Sequence, residues 1–162
     1  MSNSVPIPFS TTLLVRDTCL CLHVQRAARA LARRFDNALK PLGLTNGQFS
    51  LMMALNRPQP ASMGAVAHVL AIDRTTLTAA VKVLERRGLV EGMADPKDRR
   101  SRLVKLTEDG TDLLRAALPI WTRVHGELDT ELGDGIAPLR ETLASIDQDA
   151  ARTSPHSASG RE

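Results

Sequence analysis

Apolar side chains recur at steps of three and four residues from Thr12 to Leu39, a stretch without Gly or Pro. Arginines occupy the other face, including Arg26, Arg29 and Arg33. This spacing predicts one long amphipathic helix. The helix is longer than a small lobe needs, so we expect it to pack against a second copy of the chain.

Three shorter helices are predicted in the centre of the chain, each with a capping residue at its start. Thr45 and Gln48 have capping-box spacing, and Ser62 and Asp73 precede the next two apolar stretches. Gly88 ends the third helix, where a left-handed residue is favoured.

The pattern then changes to two short strands, residues 89–91 and 101–106, around a polar turn. A helix follows from Thr107, with Pro119 as a predicted kink. After glycines at 133 and 135, a last helix is predicted from Ile136 to about Ile146. Residues 1–10 and 147–162 are predicted to be flexible tails.

Composition narrows the possible partners. Aromatic residues make up 2% of the chain, which argues against modules that stack unpaired bases. We find no apolar run of the roughly 20 residues that a membrane span needs and no signal peptide, so a cytoplasmic location without membrane contact is expected.

Charge is distributed unevenly along the chain. Residues 1–106 contain 16 Lys or Arg and 7 Asp or Glu, a net charge of +9, whereas residues 107–162 contain 5 and 11, a net charge of −6. The basic part favours a polyanionic partner; a solvated surface of uneven charge is the alternative.

The helix after Asp73 has the features of a DNA-reading helix. Its apolar residues share one face, and its first turn carries cationic and hydroxyl side chains, which can contact base edges in the major groove. An ordinary amphipathic surface helix is the alternative. The candidate DNA contacts on this helix are Arg74, Thr75, Thr76, Thr78, Lys82 and Arg86.

The hairpin that follows carries five cations in nine residues. A charged hairpin tip suits insertion beside the DNA backbone or into a narrow minor groove, and the alternative is protection of a sheet edge. We expect Asp98 to orient a neighbouring Arg by an ion pair. The candidate contacts in the hairpin are Lys97, Asp98, Arg99, Arg100 and Arg102, with Lys105 as the fifth cation.

Four segments of the chain resemble the signature blocks of the MarR family of bacterial transcription regulators. They are Ile72-Asp-Arg-Thr-Thr-Leu77, Leu84-Glu-Arg-Arg-Gly-Leu-Val90, Asp95-Pro-Lys-Asp-Arg-Arg100 and Leu106-Thr-Glu-Asp-Gly110. The resemblance covers about Leu13 to Ile146. It implies a mainly α fold with a small β-hairpin wing, in one domain that spans residues 11–146. The winged helix-turn-helix lobe would span about 41–107, and the dimerisation helices about 12–40 and 107–146.

The resemblance also implies function. A homodimer would bind palindromic promoter DNA, most often as a repressor, and a small molecule, often an aromatic acid, or an oxidant would relieve binding. Arg100 would enter the minor groove with Asp98 as its partner, and Arg74, Thr75, Thr76 and Thr78 would face bases or phosphates.

Cys19 and Cys21 fall within the long predicted helix, two residues apart. On a continuous helix they would point about 200° apart, so they could neither bond to each other nor share a metal. We therefore expect two small packed residues; a redox-sensing role, favoured by nearby Arg16, is the alternative. Arg16 and His23 are also candidate contacts for an acidic ligand, with dimer-interface ion pairs as the alternative.

The sequence contains no motif for nucleophilic, phosphoryl-transfer or metalloprotease catalysis. We therefore expect that the protein is not an enzyme and that it has no cofactor or metal site. The competing class is a helical protein-interaction adaptor whose basic hairpin is merely solvated.

Overall fold

The N-terminal part of the chain is helical, but in two pieces. The computed structural model describes residues 6–98 and 101–153. Helix α1 spans Phe9–Thr18 and helix α2 spans Leu20–Leu39. Between them Cys19 is extended, with φ −70° and ψ 106°. The prediction of one uninterrupted helix from Thr12 is therefore wrong, because side-chain periodicity does not reveal a change of backbone conformation at a single residue.

The three central helices begin at the predicted capping residues. A 3₁₀ turn, Lys40–Leu42, leads to α3 (Asn46–Leu55), where Thr45 Oγ1 accepts from the Gln48 N–H (3.2 Å) and Gln48 Oε1 accepts from the Thr45 N–H (3.1 Å). Helix α4 spans Met63–Leu70 and α5 spans Arg74–Arg86. Ser62 and Asp73 cap these helices, and Gly88 has φ +69° as expected.

A small antiparallel sheet contains the predicted hairpin and one further strand. Strands β1 (Ala61–Ser62), β2 (Val90–Ala94) and β3 (Arg102–Leu106) are arranged in the order β1-β3-β2. The two-residue strand β1 was not predicted, because it is too short to show an alternating pattern. The fold is thus a helix-turn-helix with a β-hairpin wing, as the sequence predicted.

A single apolar cluster joins the central helices to the sheet and to the start of α6 (Glu108–Leu132). Leu39, Met52, Leu77 and Leu84 are fully buried there, and no polar or charged residue of the described part is buried. Burying a large aliphatic side chain contributes roughly 1.5–3 kcal/mol, so this cluster holds α5 against the rest of the lobe.

The first turn of α6 lies directly against the start of β2. Thr107 Oγ1 donates to the Gly88 carbonyl oxygen (2.6 Å) and accepts from the Gly110 N–H (3.0 Å). A Cβ at Gly110 would lie 1.9 Å from the Leu89 carbonyl oxygen. Only glycine fits at this backbone contact, which explains the last residue of the Leu106–Gly110 segment.

The chain divides into two compact units, one up to Trp121 and one from Thr122. The second contains the rest of α6, a 3₁₀ turn (Gly133–Gly135) and α7 (Ile136–Thr153), with Arg140 Nη2 2.9 Å from Asp129 Oδ1. No helix in the described part of the chain is long and apolar enough to cross a membrane.

Both predicted tails are partly helical. Helix α1 already begins at Phe9, and α7 runs seven residues past Ile146. The polar residues 147–153 suggested a flexible tail, but they include no Gly or Pro and contain good helix formers. Residues 9–10 and 147–153 are thus helical, and the predicted tail residues 1–5 and 154–162 lie outside the described residues.

Candidate DNA-binding site

Helix α5 turns one face to the core and the other outward, as predicted. Leu77, Val81 and Leu84 are buried. The predicted contacts lie on the opposite face, where Arg74, Thr75, Thr76, Lys82 and Arg86 are exposed and Thr78 is half-buried. An exposed helix face rich in donors is what readout of a major groove requires.

Hydrogen bonds at the start of α5 separate its predicted contacts into two groups. Asp73 accepts from the Thr76 hydroxyl (2.5 Å, Oδ2) and the Thr76 N–H (2.8 Å, Oδ1), which together hold the pKa of Asp73 below its usual range. The Thr78 hydroxyl donates to the Arg74 carbonyl oxygen (2.6 Å). The two hydroxyl protons therefore stabilise the helix start rather than point to DNA.

Arg74, Thr75 and Lys82 differ from these two threonines. Their side chains make no hydrogen bond or ion pair within residues 6–98 and 101–153. They are thus available to an incoming ligand without breaking an internal contact.

Two hydrogen bonds are formed among the described residues at the wing tip. Asp95 Oδ1 accepts from the Lys97 N–H (2.8 Å), and the Ser101 N–H donates to the Asp98 carbonyl oxygen (2.8 Å). Lys97 and Asp98 are exposed. Arg99 and Arg100, predicted to contact DNA, lie outside the described residues.

Arg102 points away from the wing tip. Its Nη2 lies 2.5 Å from Glu85 Oε1 at the end of α5, a contact that was not predicted from the sequence. Glu85 lies in the Leu84–Val90 segment, whereas Arg102 lies 17 positions later and outside all four segments. The signal was their opposite charge, but nothing in the spacing indicated that the two side chains meet.

A cleft of about 380 Å³ opens in the first unit. Its walls come from α3, the end of α4 and α6, and Trp121 stacks on Phe49 with ring centroids 6.3 Å apart. The lining residues are Phe49, Ser50, Met53, Ala54, Val69, Leu70, Leu118 and Trp121. Seven of these eight residues are apolar and none is charged, so the cleft suits an uncharged ring.

Arg16 and His23, the candidate contacts for an acidic ligand, do not line this cleft. Arg16 Nε and Nη2 donate to the two carboxylate oxygens of Asp17 (2.6 and 2.9 Å), which raises the pKa of Arg16 and lowers that of Asp17. His23 Nδ1 lies 2.8 Å from the Cys19 carbonyl oxygen. Arg16 is therefore already paired with a carboxylate of its own chain.

The two cysteines flank the start of α2. Cys19 is half-buried and Cys21 exposed, and Gln25 Nε2 lies 3.2 Å from Cys21 Sγ. Because Cys19 is not helical, no continuous helix holds the two thiols about 200° apart, contrary to the prediction. Within the described residues, no cluster of three or more His, Cys, Asp or Glu could hold a metal.

Comparison with known proteins agrees with this architecture. A sequence model described as the MarR family matches residues 42–101. The transcriptional activatory protein BadR of Rhodopseudomonas palustris is 34% identical over 134 residues, which cover 79% of this chain and 77% of BadR.

Solved structures are similar over most of their length. The transcriptional regulator MosR of M. tuberculosis, in complex with DNA, is 36% identical with a TM-score of 0.76, covering 83% of this chain and 97% of MosR. CouR of Rhodococcus jostii RHA1, bound to p-coumaroyl-CoA, is 27% identical with a TM-score of 0.70, covering 81% of this chain and 93% of CouR. The chain is a winged helix-turn-helix transcription regulator and belongs to the MarR family.

Proposed function

We propose that this protein is a homodimer that binds a palindromic operator in double-stranded DNA and represses transcription until a small molecule releases it. It acts in the cytoplasm by binding and not by catalysis. The observation that supports this proposal best is the outward face of α5, where Arg74 and Thr75 lie exposed and uncommitted at the start of the helix.

In the proposed complex α5 enters the major groove with its first turn foremost. Arg74 forms a two-pronged hydrogen bond to a guanine, and Thr75 contacts the adjacent base. Thr76 and Thr78 contribute their methyl groups and hydroxyl lone pairs, because their hydroxyl protons are committed within the chain. Lys82 and Arg86 bind phosphates farther along the groove.

The wing is proposed to follow the backbone into the neighbouring minor groove. Lys97 and Arg99 would bind phosphates, and Arg100, paired with Asp98, would enter the groove. Each phosphate neutralised adds about 0.9 to the slope of log affinity against log salt concentration. Affinity should therefore fall steeply as salt is added.

Capture and sequencing of genomic DNA with the purified protein would test this proposal. We expect an enriched inverted repeat, tight binding to it, and a steep salt dependence. Arg74→Ala should lose most of the enrichment. Arg115→Ala is the matched control, because Arg115 is also exposed but pairs with Asp112 on α6. A shallow salt dependence without an enriched sequence would favour the alternative class, a helical protein-interaction adaptor.

Dimerisation is supported by apolar side chains that the single chain leaves in water. They lie on α1 and α2 and, in the second unit, on α7. They include Leu14, Val15, Leu20, Val24 and Leu31, and Leu139, Leu143 and Ile146. Covering apolar surface gains roughly 25 cal/mol per Å². Light scattering at micromolar concentration should give the mass of a dimer, and a monomeric mass would contradict the proposal.

The effector is proposed to place an aromatic ring in the cleft beside Trp121. A relative bound to p-coumaroyl-CoA supports an aromatic ligand, and the apolar lining supports an uncharged ring. The carboxylate or thioester end of such a ligand would point out of the cleft. Arg16 and His23 remain candidates for holding that end, which in the case of Arg16 requires release from Asp17.

Trp121 is the single tryptophan of the chain, so its fluorescence reports directly on the cleft. Titration with aromatic acids and their thioesters should quench it and release operator DNA at matching concentrations. Ala54→Phe should block both effects and leave DNA binding intact. If Ala54→Phe still responds but Arg16→Gln does not, the effector site lies near Arg16 instead.

A redox-responsive regulator is the second candidate, and the extended backbone at Cys19 favours it. The thiolate of one cysteine would attack a peroxide and break its O–O bond, giving a sulfenic acid and a hydroxide or alkoxide that takes a proton from water. The other thiol would then attack that sulfur, forming the disulfide and releasing water. If peroxide releases DNA from the native protein but not from Cys19→Ser/Cys21→Ser, regulation by oxidation replaces regulation by a small-molecule effector.

A further inference from the structure

Arg102 connects the wing to the recognition helix. It is the first residue of β3, yet its guanidinium reaches Glu85 in the last turn of α5. The Glu85 side chain is only 21% exposed and that of Arg102 is 47% exposed. The pair is therefore partly shielded from water, which makes it stronger than a fully exposed ion pair.

Gly92 provides the space through which this side chain passes. In the sheet register Ala94 is opposite Arg102, so Gly92 is its diagonal neighbour on the same face of the sheet. A Cβ at Gly92 would lie 2.3 Å from Arg102 Nη2 and 2.4 Å from Nε. Gly92 does not have a positive φ, so its backbone does not require glycine. The space is needed by the guanidinium.

A second ion pair in the hairpin gives a useful contrast. Lys105 Nζ lies 2.9 Å from Glu91 Oε1, its direct partner across β2 and β3. Both side chains are about half-exposed, and the pair joins the two strands of the hairpin only. Lys105 thus carries the same charge as Arg102 on the same strand, without a link to α5.

We propose that the Glu85–Arg102 pair, lying over Gly92, is a brace that sets the position of the wing relative to the recognition helix. Arg102 is then a positioning residue and not a phosphate contact, in contrast to its assignment from the sequence. The brace matters because α5 and the wing must reach adjacent grooves at the same time, so this inference rests on the proposed DNA docking.

The sign of one substitution separates the brace from simple electrostatics. Glu85 places a negative charge beside a surface that binds a polyanion, so its removal would strengthen DNA binding if only charge mattered. Glu85→Gln also removes a negative charge from a helix C-terminus, and this removal should stabilise the helix because the helix dipole disfavours an anion there. The brace predicts the opposite result, weaker binding by a normally folded protein.

Gly92→Ala makes a second test without changing any charge. The three atoms nearest to the added methyl group all belong to the flexible end of Arg102, so the guanidinium should move and the fold should persist. If Arg102 were a phosphate contact, its release from Glu85 would leave DNA affinity unchanged or higher. The brace predicts a lower affinity.

The experiment measures operator affinity at several salt concentrations for wild type, Gly92→Ala, Glu85→Gln and Arg102→Ala, with Lys105→Ala as the control of equal charge to Arg102→Ala. Circular dichroism and urea midpoints verify folding. We expect about three- to tenfold weaker binding for the three brace variants, in line with the coupling of a partly shielded pair, and an unchanged salt slope.

Charge reversal provides the rescue. Arg102→Glu should bind poorly, and the double variant Arg102→Glu/Glu85→Arg should recover much of the lost affinity, which misfolding would not allow. Unchanged or tighter binding by Gly92→Ala and Glu85→Gln would overturn the brace. So would a salt slope lower by about 0.9 in Arg102→Ala, the mark of a phosphate contact. A wild-type protein without salt-dependent DNA binding would instead refute the proposed docking.

Discussion

Replacing Gly110 by alanine should destabilise the lobe severely, although alanine is the better helix former. The new Cβ would lie 1.9 Å from the Leu89 carbonyl oxygen, whereas real Cβ contacts essentially never fall below 3.0 Å. Helix α6 and strand β2 would have to separate by about 1 Å, the difference between these distances. Bonds from Thr107 to Gly88 (2.6 Å) and to Leu89 (3.1 Å) oppose that separation.

The size of the effect follows from two opposing contributions. Forced overpacking costs typically about 1–3 kcal/mol and occasionally more, and a clash with backbone belongs at the upper end. Replacing glycine in a helix gains up to about 1 kcal/mol. We therefore expect a net loss of roughly 2 kcal/mol or more in the free energy of unfolding.

Gly126→Ala, in the same helix, is the matched control. A Cβ there has nothing within 4 Å, so this variant should be stabilised by about 0.5–1 kcal/mol. Urea unfolding followed by circular dichroism, at one fixed protein concentration, measures both. If Gly110→Ala were as stable as the native protein, the close contact between α6 and β2 would be refuted.

Three further predictions concern α5 and the wing. Asp73→Ala should destabilise the helix start at neutral pH. Because the pKa of Asp73 is lowered on folding, the stabilisation by its carboxylate is present above about pH 4 and is lost as the pH falls through the pKa of the native state. The urea midpoints of the two proteins should therefore converge in acid. Leu77→Ala, at a side chain with no exposure, should cost about 2–5 kcal/mol in urea unfolding. In binding assays Arg74→Ala should lower the binding free energy by ~1–3 kcal/mol and relax base specificity. Arg100→Ala should weaken binding to all DNA sequences alike and flatten the salt dependence.

Much of the lobe could be predicted from the sequence because its signals are local. A capping box at Thr45, caps at Ser62 and Asp73 and the stop at Gly88 each act within four residues, and all four are confirmed. The outward face of α5 follows in the same way from its apolar period.

The rest depends on contacts that no short window contains. Gly92, Glu85 and Arg102 meet only because β2 pairs with β3 beside the end of α5. The cleft beside Trp121 needs three helices. The break at Cys19 is local, but it is a backbone change without Gly or Pro, and so it left no compositional signal.

Footprinting on the captured operator tests the central claim most directly. A symmetric dimer that inserts two recognition helices should protect two inverted half-sites with centres about 10 base pairs apart on one face of the DNA. Protection should disappear in Arg74→Ala and persist in Arg115→Ala. Protection of one asymmetric half-site, or equal protection by native protein and Arg74→Ala, would contradict the account.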